Sequence, residues 1–260
     1  MLSFPVTIDG GGLGNQLHRY VASKVLALDL ETKHGMVNPE KFKGDSFMNL
    51  DKGIRAIDTG RWQMFQEQRI DNKDGVDIRV YDERINDIED HTIIDGEFQD
   101  ERYWEHRRDE VDEWLRVEPL DLPDNLCVIG FRGGEYVLFP DLFLPPDYWI
   151  NAMKKMKDRN PDVEFLVVTD DPDTAMRIFP RTAVQHEIGS DWRHIRYAKN
   201  LILSNSSFYI FPAWLNKGAY IIAPHGWARH NLGYWALPQN KYKGWNYLDR
   251  KGHMESYNEV

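Results

Sequence analysis

The sequence has a single cysteine, Cys127, among its 260 residues, and this scarcity excludes an intrachain disulfide. It also has no excess of basic residues, since 32 Lys and Arg stand against 42 Asp and Glu, a formal net charge of −10. A net acidic chain does not suit a nucleic-acid wrapper or an anionic-membrane binder, because both need a basic surface. Any phosphate that this protein binds must therefore be held by a local cluster of residues.

Long apolar runs are missing as well: none approaches the roughly 18 residues that a membrane-spanning helix needs. The first residues lack the basic segment of a signal peptide, and a lone cysteine fits a reducing compartment. We expect a cytoplasmic protein with no integral membrane segment and no nucleic-acid partner. What the chain does have is core material, 42% hydrophobic and 13% aromatic residues, enough for one large domain or two small ones.

The N-terminal part begins with a predicted strand, a glycine-rich turn and a helix. Residues 4–8 are apolar enough for a buried strand, and apolar residues at helical spacing follow the turn. Gly12 and Gly14 let the backbone approach a ligand closely, while Asn15 and Gln16 place side-chain amides at the start of the helix. The dinucleotide-binding fingerprint is broken, because Asn15 stands where the third glycine belongs. The alternative is a tight turn without a ligand.

The rest of the N-terminal part is less regular. Residues 36–90 show few periodic patterns, residues 91–96 predict a strand and turn, and a helix is predicted from about Arg102. Residues 119–123 are rich in Pro and Asp and precede a new strand, which is typical of a domain boundary. We therefore expect two domains, residues 1–120 and residues 121–260.

Strands and helices alternate regularly in the second domain, which predicts a parallel sheet covered on both faces. Asp173 is expected to cap one of the helices. The aromatic tail around residues 235–247 is expected to pack back on the body. The predicted strands are residues 126–129, 165–168, 201–203 and 220–222, and the predicted helices are residues 148–156, 173–179 and 192–199.

Ligands of such sheets bind beyond the carboxyl ends of the strands, so the residues that follow each strand are the candidates for a site. Arg132 lies in a glycine-rich loop after one strand, and its guanidinium fork suits a diphosphate. Asn205, Ser206 and Ser207 follow another strand and open a predicted helix, whose free N–H groups suit a phosphate. The alternatives are a surface salt bridge for Arg132 and simple helix capping for the serines.

Several motifs in this order resemble the α-1,2-fucosyltransferases of glycosyltransferase family 11 and their α-1,6- and protein-O-fucosyltransferase relatives. Residues 11–16 read G-G-L-G-N-Q, and residues 95–104 resemble the family stretch E-G-Y-x-Q-S-E-x-Y-F. Residues 130–136 resemble H-x-R-R-G-D-Y, residues 169–172 read T-D-D-P, and the family spacing D-x15-S is kept between Asp191 and Ser207. The resemblance covers about residues 7–220.

The resemblance implies an α/β, GT-B-like architecture of two Rossmann-like halves. Residues 1–120 would form the acceptor side with the glycine-rich loop, and residues 121–260 would bind the nucleotide-sugar donor. The implied reaction is an inverting transfer of a sugar, fucose from GDP-fucose in the first instance, to a hydroxyl of a glycan acceptor. It implies no metal ion and no other cofactor.

The resemblance also implies residue roles. Arg132 would grip the diphosphate and stabilise the leaving group, and Asp191 would read the guanine edge. Asn15 would lie against the donor, and Glu135 would either take the proton of the acceptor hydroxyl or brace Arg132. The implied catalytic residues are thus Arg132, Glu135 and Asn15, and the implied donor-binding residues are Gly12, Gly14, Asn15, Arg132, Asp170, Asp191, Asn205, Ser206 and Ser207.

The sequence departs from the family pattern in one motif. Gly130 stands at the family histidine, Gly133 at its second arginine, and Glu135 at its aspartate. These departures leave open a transferase that uses a different nucleotide sugar, or a non-catalytic nucleotide- or sugar-binding relative. Residues 171–173 also match the D-x-D pattern of metal-dependent transferases, although Asp173 suits a helix cap.

Overall fold

The computed structural model describes residues 2–5, 11–56, 62–71, 77–227, 241–249 and 251–257. Its contacts divide the chain into two compact units, Met1–Val117 and Glu118–Val260. Each unit contains a sheet of mostly parallel strands with helices beside it. The predicted α/β class, with two halves that are each built on a parallel sheet, is confirmed.

The N-terminal unit has a five-stranded parallel sheet in the order β3-β2-β1-β7-β4 and a separate antiparallel hairpin, β5-β6. Its long helix α1 buries Leu17, Tyr20 and Val21 completely, as the apolar spacing predicts. Of the strand predicted at residues 4–8, the structure describes only the first two residues. The elements are β1 Leu2–Pro5, α1 Leu13–Asp29, β2 His34–Val37, β3 Ile54–Arg55, β4 Gln63–Gln66, β5 Arg69–Asp71, β6 Asp77–Arg79, β7 Thr92–Asp95 and α2 Arg108–Trp114.

The helix predicted from about Arg102 starts later than expected. Two short 3₁₀ turns, Glu101–Tyr103 and Glu105–Arg107, come first, and α2 begins at Arg108. The carboxylate of Asp100 accepts a hydrogen bond from the backbone N–H of Arg102 at 3.0 Å and so caps the first turn. Local capping thus divides a stretch whose apolar spacing alone suggests one helix.

The C-terminal unit has a seven-stranded sheet in the order β10-β9-β8-β11-β12-β13-β14. All neighbouring strands pair in parallel except β13 and β14, which are antiparallel. The aromatic tail joins this sheet: Tyr242, Trp245 and Tyr247 are buried, while predicted tail residues Trp235 and Pro238 lie outside the described residues. The elements are β8 Leu126–Phe131, α3 Pro146–Arg159, β9 Glu164–Thr169, α4 Pro172–Ile178, β10 Ala183–Gln185, α5 Ile188–Tyr197, β11 Asn200–Leu203, α6 Ile210–Leu215, β12 Tyr220–Pro224, β13 Asn246–Leu248 and β14 Met254–Ser256.

Two helix starts in this unit differ from the prediction. Asp171, not Asp173, caps α4: its Oδ1 accepts from the backbone N–H of Thr174 at 3.0 Å. Pro172 takes the first helical position, where its missing N–H costs nothing. Helix α5 begins at Ile188 instead of residue 192, because the carboxylate of Glu187 caps it by accepting from the N–H of Gly189 at 3.0 Å.

The sheet of the C-terminal unit changes direction between β8 and β11. The chain runs from β8 outward through β9 to β10, then returns to the other side of β8 with β11 and continues outward to β12. The carboxyl ends of β8 and β11 therefore border the crevice at which the strand order reverses. Ligands of open α/β sheets bind at such a crevice.

Candidate nucleotide-binding site

The carboxyl ends of β8, β9 and β11 bring three predicted segments to one edge of the sheet. The β8-β9 and β8-β11 pairs are parallel, and Gly130 of β8 is paired with Leu203 of β11. Arg132 follows β8, Asp170 follows β9, and Ser204 follows β11, where its N–H donates to the carbonyl of Gly130 at 2.9 Å. The segments that contain Arg132 and Ser204 border the crevice between β8 and β11.

Arg132 is held by two carboxylates. Its Nη1 donates to Asp170 Oδ2, and its Nη2 donates to Glu135 Oε1 at 2.9 Å. Its guanidinium carbon lies 5.1 Å from the centre of the Tyr136 ring, a cation–π contact. The Arg132 side chain is 27% exposed and that of Glu135 is 67% exposed. The planar fork is thus fixed on the Asp170 side, while its bond to Glu135 faces solvent.

The glycines after Arg132 let the loop fold against two aspartates. The N–H of Gly133 donates to Asp170 Oδ1 at 3.0 Å, and the N–H of Gly134 donates to Asp171 Oδ2 at 3.2 Å. Gly134 has a φ of +47°, and a Cβ at Gly133 would lie 2.6 Å from the Cβ of Asp171. The family's second arginine therefore has no room at residue 133 in this packing.

Tyr209 lies against Gly130, the residue that stands at the histidine of the family motif. A Cβ on Gly130 would lie 2.9 Å from the Tyr209 ring, so that ring occupies the space of a side chain at residue 130. The Tyr209 hydroxyl contacts the carbonyls of Phe131 at 3.0 Å and Val168 at 3.3 Å, which ties it to β8 and β9. Sequence reasoning missed Tyr209, because the contact depends on the pairing of β8 with β11.

The polar segment after β11 is more structural than its sequence suggests. Asn205 Nδ2 donates to the carbonyls of Leu142 at 2.8 Å and Trp227 at 2.6 Å, so this amide holds two neighbouring loops. Ser206 precedes a 3₁₀ turn, Ser207–Tyr209, and its side chain makes no capping bond there. The predicted helix thus opens with a 3₁₀ turn, and the six-residue α6 follows. The serines lie at the sheet edge, and no contact of the described residues shows a phosphate-binding role.

Asp191 lies in the first turn of α5 and is 5% exposed. Its Oδ1 accepts from Nε2 of Gln185, the last residue of β10, at 2.9 Å. Burial raises the pKa of Asp191 to about 6. Burial also raises the pKa of Tyr209, and the charges of Asp170 and Asp191 add to that shift. Asp170 and Asp191 thus both act on the pKa of Tyr209, and Asp191 is ionised above about pH 6.

Gly12, Gly14 and Asn15 belong to the N-terminal unit. Gly12 is the N-cap of α1, with no heavy atom within 4 Å of a Cβ built on it. Asn15 Oδ1 accepts from Gln99 Nε2 at 3.3 Å, which joins two of the motifs named above. Gln16 is buried, and its amide donates to the carbonyl of Lys41 at 3.3 Å and accepts from the N–H of Lys43 at 2.9 Å.

The D-x-D pattern has a structural role at its first carboxylate. Both oxygens of Asp171 accept backbone N–H groups, from Thr174 and Gly134. Within the described ranges, no group of three or more His, Cys, Asp or Glu side chains is arranged to hold a metal ion. Nor does any helix of the described part of the chain have the length and apolarity to cross a membrane.

Comparison with solved structures finds chains of similar structure. The chain is similar to E. coli heptosyltransferase WaaC with ADP, at 13% sequence identity and a TM-score of 0.42, over 87% of this chain and 88% of that chain. No protein-family model matches the chain, and no curated protein matches it in sequence.

Proposed function

We propose that this protein is an inverting glycosyltransferase that binds a nucleoside-diphosphate sugar at the carboxyl edge of the C-terminal sheet. The observation that carries the proposal is the Arg132 guanidinium, fixed by Asp170 and Glu135 beside the crevice between β8 and β11. A guanidinium group binds diphosphates through paired N–H···O bonds. Open α/β sheets bind ligands at the crevice where the strand order reverses. The family resemblance of the surrounding motifs adds support.

The reaction we propose needs stabilisation of the departing diphosphate. Negative charge develops on the leaving group as the bond to the sugar breaks, and a pre-oriented guanidinium stabilises that charge. Glu135 is mostly exposed, so a phosphate can replace it on Nη2, while Asp170 keeps the other side of the fork in place. We therefore assign Glu135 as a brace that the diphosphate displaces. The acceptor hydroxyl would attack from the opposite face of the sugar as the bond to the diphosphate breaks, which inverts the anomeric carbon, and its proton would pass to solvent water.

We propose a guanine nucleotide as the donor's base. Asp191 keeps the family spacing to Ser207, and above about pH 6 its carboxylate can accept from the N–H edge of guanine. Uracil presents no matching pair of donors, so the carboxylate favours GDP over UDP. The space for side chains at residues 130 and 133 is filled, which removes two expected donor contacts. The resemblance of the motifs makes GDP-fucose the first candidate donor, and the loss of these two contacts makes another GDP-sugar the alternative.

The test is a calorimetric and thermal-shift screen of GDP, UDP and ADP, followed by turnover of GDP-fucose and GDP-mannose with and without EDTA. A ligand that binds the folded state at 100 times its Kd adds about 2.7 kcal/mol of stability. We expect GDP to bind best, and turnover to survive EDTA. Equal affinity for GDP and UDP would contradict the guanine assignment. GDP binding without transfer or hydrolysis would identify a non-catalytic binder, and strict dependence on Mn²⁺ or Mg²⁺ would favour the D-x-D interpretation.

A further inference from the structure

The N-terminal unit contains a second polar site, which we name the arginine cleft. It is a cavity of about 540 Å³ and its lining is polar throughout. Three of its five lining residues carry guanidinium groups, although the whole chain has a net charge of −10. The lining residues are Gln66, Glu67, Arg69, Arg79 and Arg84.

Two of these arginines face each other across the β5-β6 hairpin. Arg69 and Arg79 are directly opposite in the antiparallel register, so their side chains leave the same face of the hairpin. Both residues line the cleft, so their guanidinium groups lie on the same side of the hairpin.

Two carboxylates near the cleft, those of Glu67 and Asp82, already accept hydrogen bonds from the protein. Asp82 is buried and accepts from Arg84 Nε at 2.8 Å and from the N–H of Gln68 at 3.0 Å. Glu67 is buried, and its Oε2 accepts from the backbone N–H groups of Glu97 at 2.7 Å and Phe98 at 3.1 Å. These bonds direct both carboxylates toward the protein. Asp82 also accepts from Arg84 Nη2, so the charge of Arg84 is paired, and the other guanidinium groups of the cleft are those of Arg69 and Arg79.

Arg79 and Arg84 still have N–H donors to offer. A guanidinium has five N–H donors. Among the described residues, Arg79 makes one hydrogen bond, from Nη1 to the carbonyl of Glu67 at 3.2 Å. Arg84 is 67% exposed; its Nε and Nη2 donate to Asp82, and Nη2 also donates to the carbonyl of Gln66 at 3.3 Å, which leaves Nη1. The two side chains therefore converge at the end of β4 with further N–H groups available to a ligand.

The cleft lies at the edge of the sheet at which the glycine-rich loop begins α1. Strand β4 ends at Gln66 and is parallel to β7, which is in turn parallel to β1. Glu67 binds the backbone after β7, at Glu97 and Phe98, and Gln99 donates to Asn15. A chain of direct contacts thus connects the cleft with the loop that the sequence predicts to face a ligand.

We infer that the arginine cleft binds the anionic group, a carboxylate or a phosphate, of an acidic glycan that serves as the acceptor. Guanidinium groups bind both anions through paired N–H···O bonds, and two converging arginines suit a ligand with several oxygens. The acceptor role and the glycan nature of the ligand rest on the proposed function, whereas the binding of an anionic group rests on the arginines of the cleft.

The test measures binding without any nucleotide. The probes are oligosaccharides in matched neutral, uronic-acid, sialylated and 6-phosphorylated forms, first on an array and then by calorimetry. Arg69→Ala and Arg79→Ala are compared with Arg55→Ala, a variant of an exposed arginine of the same unit that pairs with Glu40 outside the cleft. We expect acidic forms to bind better than their neutral counterparts, with a loss of about tenfold or more in both cleft variants. Arg55→Ala should stay within about twofold of the wild type.

Three results would overturn the inference: equal binding of acidic and neutral forms, equal losses in cleft and control variants, or binding of inorganic phosphate as tight as that of the glycans. Arg79→Lys keeps the positive charge but loses the paired N–H donors of the guanidinium. It replaces Arg79→Ala in the assay if the melting temperature of Arg79→Ala is lowered. The uronic-acid and phosphorylated arms separate the two anions. Because no donor is present, a failure of the proposed transfer reaction leaves this measurement intact, and a failure here leaves donor binding intact.

Discussion

Replacing Asp191 by Asn should stabilise the protein at alkaline pH. The carboxyl is 5% exposed, and burial raises its pKa from 3.8 to about 6. Because the folded-state pKa lies above the ordinary value, folding favours the protonated form. The charged form therefore costs stability as pH rises from 3.8 through 6, and the whole cost is present above that window. Asparagine removes the charge and keeps an oxygen that can accept from Gln185 Nε2.

The size of the effect follows from the pKa shift. One pKa unit corresponds to 1.36 kcal/mol, so the rise from 3.8 to about 6 gives about 3 kcal/mol at pH 8 as an upper value. At pH 5 the same relation between pKa and stability gives a free-energy difference about half as large. Asp191→Asn should therefore be more stable than the wild type at pH 8, with a margin that shrinks on acidification.

The assay is urea unfolding of the wild type and Asp191→Asn at pH 8, 7, 6 and 5. Asp158→Asn is the matched control, since Asp158 is an exposed helix residue that pairs with Lys154. The control should show a small difference with little dependence on pH. A margin at pH 8 no larger than that of the control, or one that does not shrink toward pH 5, would refute the buried-charge reasoning. GDP affinity should fall in Asp191→Asn. The wild-type carboxylate would then favour ligand binding and reduce the stability of the fold.

Three further predictions concern other groups. Burial lowers the pKa of His18 and of His34 to about 3, so each stays neutral in the folded state. Stability should decrease as pH falls from 6.5 toward 3, and NMR should show neither imidazole protonated at pH 5; a protonated signal there would contradict the burial. Gly130→Ala places a Cβ against the Tyr209 ring and should cost about 1–3 kcal/mol in thermal or urea unfolding, so an unchanged melt would contradict the packing. Glu135→Gln should tighten donor binding and leave kcat within about tenfold, whereas a loss of about 10²-fold or more would show that Glu135 is the general base.

The regular part of the fold was predictable because its signals are local. In the C-terminal unit, short apolar runs bounded by polar residues predict β8, β9, β11 and β12, and all four are present. Alternation of these runs with amphipathic helices was enough to predict a parallel sheet. The spatial order of the strands depends on contacts between residues that are distant in sequence. That order places the Arg132 loop beside the crevice, and no local sequence pattern predicts it.

The residues that form the candidate site were easier to predict than the contacts that they make. Arg132 and Asp170 follow strands and do meet, because parallel neighbours end at one edge. The roles of Asn205 and Gln16 were harder to foresee, since their amides bind backbone groups that are distant in sequence. The pairing of Tyr209 with Gly130 has the same cause. Long-range polar contacts of this kind leave no periodic pattern.

The most direct test of the central claim is calorimetry of GDP binding to the wild type, Arg132→Ala and Arg159→Ala. Arg159 is an exposed arginine of the same unit that stacks on Tyr220, at the start of β12 and so at the opposite end of the sheet. If Arg132 holds the diphosphate, its loss should weaken GDP about tenfold or more, and Arg159→Ala should match the wild type. Equal GDP affinity in all three proteins, with unchanged melting temperatures, would contradict the assignment of the site.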